Sequence, residues 1–384
     1  MIYFDHNATT PLDPRVLAAM LPWLQDKFGN PSSLDHAYGW DAADAVEDAR
    51  TQVAESIGAK HNEIVFTSGA TEALHLALFG LFPPERPSEA SGLVLTAVEH
   101  DAVRSIARHL SRSGIPVDTI AVRPSGGLDM ENFSARLIAR RVRLACIMAA
   151  NNETGVVFPL RACADRAHAH GALLLTDASQ ALGKIPLDAE RDGFDAAVVS
   201  AHKLYGPKGT GALYLRGGAA ALGLEPFGEG AGQEGGIRPG TLNVAGIVGF
   251  GEACRLARLG AVAEAARLRA LRDRLEALLL DSIPGAAVNG VGEARLPNTS
   301  SLRFPGLDAR VLLRQVPEIA ASTRSACSSG ASGPSHVLTA MGLEPSQAFA
   351  TVRFSLGRST TGEEVDRAAA IFAEAWRRMA GAGT

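Results

Sequence analysis

Between residues 63 and 215 the chain alternates short apolar runs with segments of helical periodicity. The runs fall at 63–67, 93–97, 117–121, 144–149, 172–176 and 196–200, each of strand length. Helical patterns at 73–82, 130–141 and 162–170 lie between several of them. Strands alternating with helices imply an α/β fold whose large domain has a mostly parallel central sheet. Such sheets bind ligands beyond the carboxyl ends of their strands, so the polar residues after each run are the candidates for function.

The most informative of these ends is DAAVVSAHKLYGPKGTG, residues 195–211. An apolar strand at 196–200 runs into Ser200, His202 and Lys203, then a turn-forming glycine and proline run, and 210–215 reads as a returning strand. Lysine is rare here: of 37 basic residues only five are lysines, at 27, 60, 184, 203 and 208. An amine at a strand end in so arginine-rich a chain marks Lys203 as a functional candidate, against the ordinary alternative of a surface charge.

The other strand ends carry further candidates, each with a plain structural alternative. Ser68-Gly69-Ala70-Thr71 opens an apolar helix, where free backbone N–H groups form a phosphate cradle, or where Ser68 or Thr71 caps the helix. His100 can stack on a flat cofactor or move protons, or serve as a structural histidine. Asn151 and Asn152 suit a carboxylate or a phenolic oxygen, or simply form a turn. Asp177 can hold a protonated ring nitrogen or cap the next turn. Arg353, in TVRFSLG, suits a substrate carboxylate or an ion pair.

A chain of 384 residues implies one large and one small domain. We expect residues 15–256 to form the large domain, and 1–14 with 257–384 a smaller α+β domain. The change falls within a long helical region, 244–280, interrupted near Leu259-Gly260. The glycine-rich segment 227–241 is too long for a tight turn and reads as a lid, an interface loop or a phosphate contact. In the smaller domain, STRSACSSGASG at 322–333 surrounds Cys327 with small polar residues, a setting for an exposed, mobile thiol that is either reactive or an incidental loop cysteine.

Net charge of −4 with mixed signs argues against direct nucleic-acid binding. No run is long enough to cross a membrane, and the start, MIYFDHNATT, lacks the regions of an export signal, so a cytoplasmic protein is expected. The four cysteines, 146, 163, 254 and 327, have no metal-ligand spacing, and no metal site is expected.

The ordered series DHNATTPLDPRV, FGNPSS, FTSGATEA, VEHDAV, NNETGV, TDASQ, SAHKLYGPKG, RPGTLN, LPNTS, SACSSG and RFSLGR closely resembles the NifS/IscS-like cysteine desulfurases. These are enzymes of fold type I that use pyridoxal 5'-phosphate (PLP). The resemblance implies a homodimer that converts L-cysteine to L-alanine and passes the sulfur, as a persulfide on Cys327, to a protein acceptor. It implies that Lys203 carries the cofactor covalently, that Asp177 pairs with its ring nitrogen, and that His100 stacks on the ring and moves protons. Thr71, Ser200 and His202 would hold the phosphate, Thr241 would reach the neighbouring subunit's phosphate, and Gln180 would contact the ring hydroxyl. Asn152 and Arg353 would grip the substrate carboxylate. SACSSG resembles the class with the longer catalytic loop. A selenocysteine lyase or an aminotransferase of the same fold is the enzymatic alternative, and an inactive sulfur carrier the non-enzymatic one. Two features depart from the family pattern. Gly235 stands where an arginine is common, and the chain ends soon after its last helix, which leaves iron-sulfur cluster assembly, tRNA thiolation and DNA phosphorothioation all open.

Overall fold

The computed structural model describes residues 1–83, 91–226, 228–323 and 333–381. Cys327 and most of the segment 322–333 lie outside them. A seven-stranded sheet forms the centre, in the order Ile64–Thr67, Gly211–Leu215, Ala196–Ser200, Leu173–Asp177, Val142–Cys146, Gly92–Thr96, Val117–Ile120. Gly211–Leu215 alone runs antiparallel to its neighbours. Residues 201–210 are too short for the dozen or more residues that a parallel crossover needs, so the strand must return.

Both faces of this sheet are covered, which is why its strands read as continuous apolar runs rather than alternating ones. Alternate residues enter different cores: Leu174 and Ala197 pack on one face with Val53, Phe133 and Phe250, and Leu175 and Val198 on the other with Leu74, Leu78 and Ile106. Gly211 is required by a close approach, since a Cβ there would lie 2.6 Å from the Cα of Gly69. That contact sets the turn Ser68-Gly69 directly beside the end of the Lys203 strand.

A third core contains Ile2 and Phe4 together with Leu275, Leu302, Phe304, Phe354 and Phe372. It lies among an antiparallel sheet of Thr351–Ser355, Thr299–Arg303 and Ala287–Val288, the helix Gly362–Gly381, and a parallel pair of Ile2–Tyr3 with Ile319–Ala320. The helix Val244–Ser282 connects it to the large sheet and is unbroken, contrary to the interruption expected near Leu259-Gly260. Glycine inside a helix costs only about 1 kcal/mol relative to alanine. Here Phe250 and Cys254 anchor one end in the first core, and Leu275 and Leu279 anchor the other in the third. Packing at both ends carries the helix through its exposed middle.

Candidate active site

Five strands of the large sheet end at one cavity of about 430 Å³. Among its lining residues are Thr71, His100, Asn152, Asp177, Gln180, Ser200, His202, Lys203 and Arg353. Thr241 is exposed and lies outside this lining. The site residues assembled here are separated in sequence by as many as 282 positions between Thr71 and Arg353, so the sheet rather than any local motif brings them together.

Lys203 follows the strand Ala196–Ser200 in a single 3-10 turn. Its Nζ donates to the backbone carbonyls of Asn7 (2.6 Å) and Ala8 (2.7 Å). The N-terminal loop is tied to the same turn, because Thr10 donates to His202 O and accepts from Tyr205 N–H (2.7 Å). Tyr205 has φ 62°, a left-handed backbone that a bulky residue adopts only when its surroundings enforce it. The Tyr205 ring packs under the Arg358 guanidinium, and its hydroxyl accepts from Arg358 N–H (2.6 Å).

Glycine 69 is the N-cap of the helix Ala70–Leu81, with φ 153°. Neither Ser68 nor Thr71 is the cap, so their hydroxyls are not used that way; Ser68 N–H instead donates to the Glu72 carboxylate. Glu72 is paired in turn with Arg238 (2.8 Å). The His202 imidazole, against Thr9 Oγ1 (3.1 Å), has its pKa pushed down to about 4 by burial and by the charges of Lys203, Lys208 and Lys184. It therefore offers a neutral ring at pH 7.

For His100 and Asp177 the structural role coexists with a place in the cavity wall. His100 is the N-cap of Asp101–Arg112, and its Nδ1 accepts from Ala102 N–H (3.2 Å), so in the neutral ring Nε2 bears the hydrogen. Asp177 ends its strand and accepts from Ser179 N–H (3.0 Å). Arg353 is buried in the middle of its strand, donating from Nη2 to Asp5 (2.7 Å) and from Nη1 to Asn152 O (3.0 Å).

Three buried groups escaped the sequence reading. Asn7 links the site together: its carbonyl accepts from Lys203 and Gln180, and its amide donates to Asn152 O and Thr299. Glu99, fully buried, accepts at Oε1 from Thr96 and from Met148 N–H. Arg50 and Glu234 form a bidentate pair at 2.8 Å, and Glu234 also accepts from Phe66 N–H. This pair fixes part of the glycine-rich segment against a second cavity, of about 710 Å³, rather than over Lys203. In the sequence Asn7 stands only within the run DHNATTPLDPRV. Nothing local in the sequence pairs Arg50 with Glu234.

The sheet order, the strand-end cavity and the lysine after an apolar strand define the fold type I architecture of aminotransferase-like enzymes. Residues 2–368 match the family model Aminotransferase class-V. A cysteine desulfurase of Frankia sp. (strain EuIK1) is 47% identical over 389 residues, covering 99% of this chain and 92% of that protein. A solved NifS-like protein has a TM-score of 0.88 at 34% identity and covers 99% of both chains. SspA, solved in complex with cysteine, has a TM-score of 0.81 at 33% identity, covering 93% of this chain and 99% of that one. The chain belongs to the NifS/IscS-like cysteine desulfurases, which use PLP and transfer sulfur from cysteine.

The cavity residues fit PLP. Two buried polar atoms on its lining, Ser179 Oγ and Arg353 Nε, have no hydrogen-bond partner among the described residues, and such atoms are ordinarily satisfied. One part of the wall offers hydroxyls, Lys208 and the helix start for an anionic group, and another offers a carboxylate, Asp177, for a protonated nitrogen.

Proposed function

We propose that this enzyme moves sulfur from L-cysteine through Cys327 to a protein acceptor, with Lys203, His100, Asp177, Asn152 and Arg353 in the roles set out above. The observation that carries this reading is the convergence of those last five on one cavity with the phosphate-type donors Thr71, Ser200 and His202. When bound, PLP withdraws electrons from the substrate's α-carbon. The chain supplies the rest. Arg353 and Asn152 hold the substrate carboxylate, and Lys203 Nζ takes the α-proton. His100 stacks on the ring and moves protons there as the imidazolium, which gives its Nε2 proton within the cavity and returns to the neutral ring. Cys327, as thiolate, attacks the substrate sulfur: an S–S bond forms, the C–S bond breaks, and its electron pair stays on the carbon that becomes the methyl group of alanine. An unshifted thiol is only a few per cent ionised near pH 7, so the proton of Cys327 must be removed in the site.

We assign the large domain to 15–256 and the small one to 1–14 with 257–384, a division supported by the third core. A homodimer is supported by the exposed Phe28, Leu34, Tyr38 and Trp40, with the Phe28 and Tyr38 rings stacked at 5.3 Å. In that assembly Thr241, exposed on this chain, would reach the other subunit's phosphate. A reducing cytoplasmic setting suits Cys146, Cys163 and Cys254, all free and buried. No helix among the described residues is long and apolar enough to cross a membrane. The test is L-alanine and sulfide release from L-cysteine with dithiothreitol, for PLP-loaded wild type and Cys327→Ala. Matched products lost in the variant support the reading, and equal turnover by both refutes the role of Cys327.

A further inference from the structure

Just behind the cavity wall stands a second half-buried lysine that the mechanism does not use. Lys184 is outside the cavity lining, yet its Nζ donates to Gln180 Oε1 at 2.8 Å and lies 3.4 Å from Asn7 Oδ1. Residues 178–185 form helical turns, with Leu182 N–H donating to Ala178 O and Ile185 N–H to Ala181 O. The turn brings the side chains of residues 180 and 184 into direct contact. Gly183, at φ 71°, lets this turn press on Leu204, since a Cβ there would lie 2.2 Å from Leu204 Cδ1. The lysine is thus delivered by the backbone to the back of the Lys203 turn.

An amine has hydrogens to give, and a side-chain amide has two chemically different ends. Lys184 on one side demands the oxygen of Gln180, and the Asn7 carbonyl on the other demands its nitrogen, at 2.9 Å. Both neighbours select the same orientation. The amide nitrogen has two hydrogens, of which one goes to Asn7 O. The second hydrogen is not used in the bonds to Asn7 and Lys184, and Gln180 lines the cavity. With Lys184 removed, only the Asn7 carbonyl still distinguishes the two ends, so the amide loses one of the two contacts that hold its N–H side towards the cavity.

We propose that Lys184 is a positioning residue that locks the Gln180 amide with its N–H towards the hydroxyl oxygen on the PLP ring. The proposal rests on the reading that Gln180 contacts that oxygen. Burial, with Lys203 and Arg353 close by and only Glu264 opposing, pulls the Lys184 pKa down to about 7. The ammonium can only donate, so the lock is strict in the charged form; the neutral amine keeps two hydrogens to give but adds a lone pair, and the lock weakens.

The test is a double-variant cycle read by the absorption band of bound PLP and by the PLP dissociation constant, measured on the full chain. Lys184→Met removes the donor while keeping the side chain's length, and Gln180→Ala removes the amide. Each single change is expected to shift the band and to weaken PLP binding roughly fivefold, the loss of one hydrogen bond. The double variant is expected to match Gln180→Ala alone. Lys184→Arg, which keeps donors, is expected to retain the wild-type band and stands in if the methionine variant does not fold. Multiplying effects in the double variant, or a Lys184→Met protein with the wild-type band and affinity, would overturn the proposal. An unchanged band and affinity in Gln180→Ala would instead sink the reading of Gln180, and the proposal with it.

Discussion

Glu99 provides a test of the interior electrostatics around the site. It has no exposed surface, its Oε1 accepts from Thr96 Oγ1 and Met148 N–H at 2.8 Å each, and Oε2 is buried with no hydrogen-bond partner among the described residues. Burial, helped by the negative charge of Asp177 and opposed by those two donors and by His100, pushes its pKa from 4.5 up to about 8. The folded chain therefore holds the proton through neutral pH, whereas the unfolded chain releases it near 4.5. Stability from this group is complete below pH 4.5 and is lost as pH rises towards 8, at about 1.4 kcal/mol per pH unit and on the order of 5 kcal/mol in all. Glu99→Gln keeps the Oε1 acceptor and cannot ionise. Urea unfolding of both proteins without cofactor, at pH 6, 7 and 8, checks the consequence, since bound ligand would itself shift the midpoint. The unfolding free energy of the variant relative to wild type is expected to rise by roughly 2 to 3 kcal/mol between pH 6 and pH 8. A difference that stays constant across that range would refute the reasoning.

Glu234→Ala leaves the Arg50 guanidinium buried without its bidentate partner and should cost about 3 to 5 kcal/mol, read as a lower urea midpoint. A midpoint unchanged within error would mean that the glycine-rich segment is not held by this pair. Arg353→Lys keeps the charge but loses the fork that spans Asp5 and Asn152 O, so KM for L-cysteine should rise about tenfold or more. Steady-state kinetics check this, and an unchanged KM would remove Arg353 from carboxylate binding. His202, with its pKa lowered to about 4, favours the neutral ring in the folded state. Its share of stability is present above pH 6.5 and lost as pH falls towards 4, so His202→Asn should flatten the acid limb of the unfolding midpoint between those values.

Much of this architecture is legible in the sequence because the sheet is covered on both faces. Its strands become uninterrupted apolar runs, and the short link between Ser200 and Gly211 dictates the one antiparallel return. The strands Ile2–Tyr3, Ala287–Val288 and Ile319–Ala320 are too short to carry a periodic signal. Gly260 reads as a break because local propensity cannot register packing at the two distant ends of the helix Val244–Ser282. At the site, groups placed at strand ends stand out, as with Lys203, Asp177 and His100. Asn7 does not, since its importance lies in contacts with residues as distant as Asn152 and Thr299. Lys184 had a usable signal: the rarity that singles out Lys203 applies to it equally. Its four-residue spacing from Gln180 matters only once both are seen on one turn behind the cavity.

The most direct measurement is to mix PLP-loaded protein with one equivalent of L-cysteine without reductant, quantify L-alanine, and map any added sulfur by peptide mass spectrometry. One added sulfur atom on the peptide containing Cys327, formed together with an equal amount of alanine, is the predicted result. Alanine formed while that peptide keeps its original mass would contradict the account.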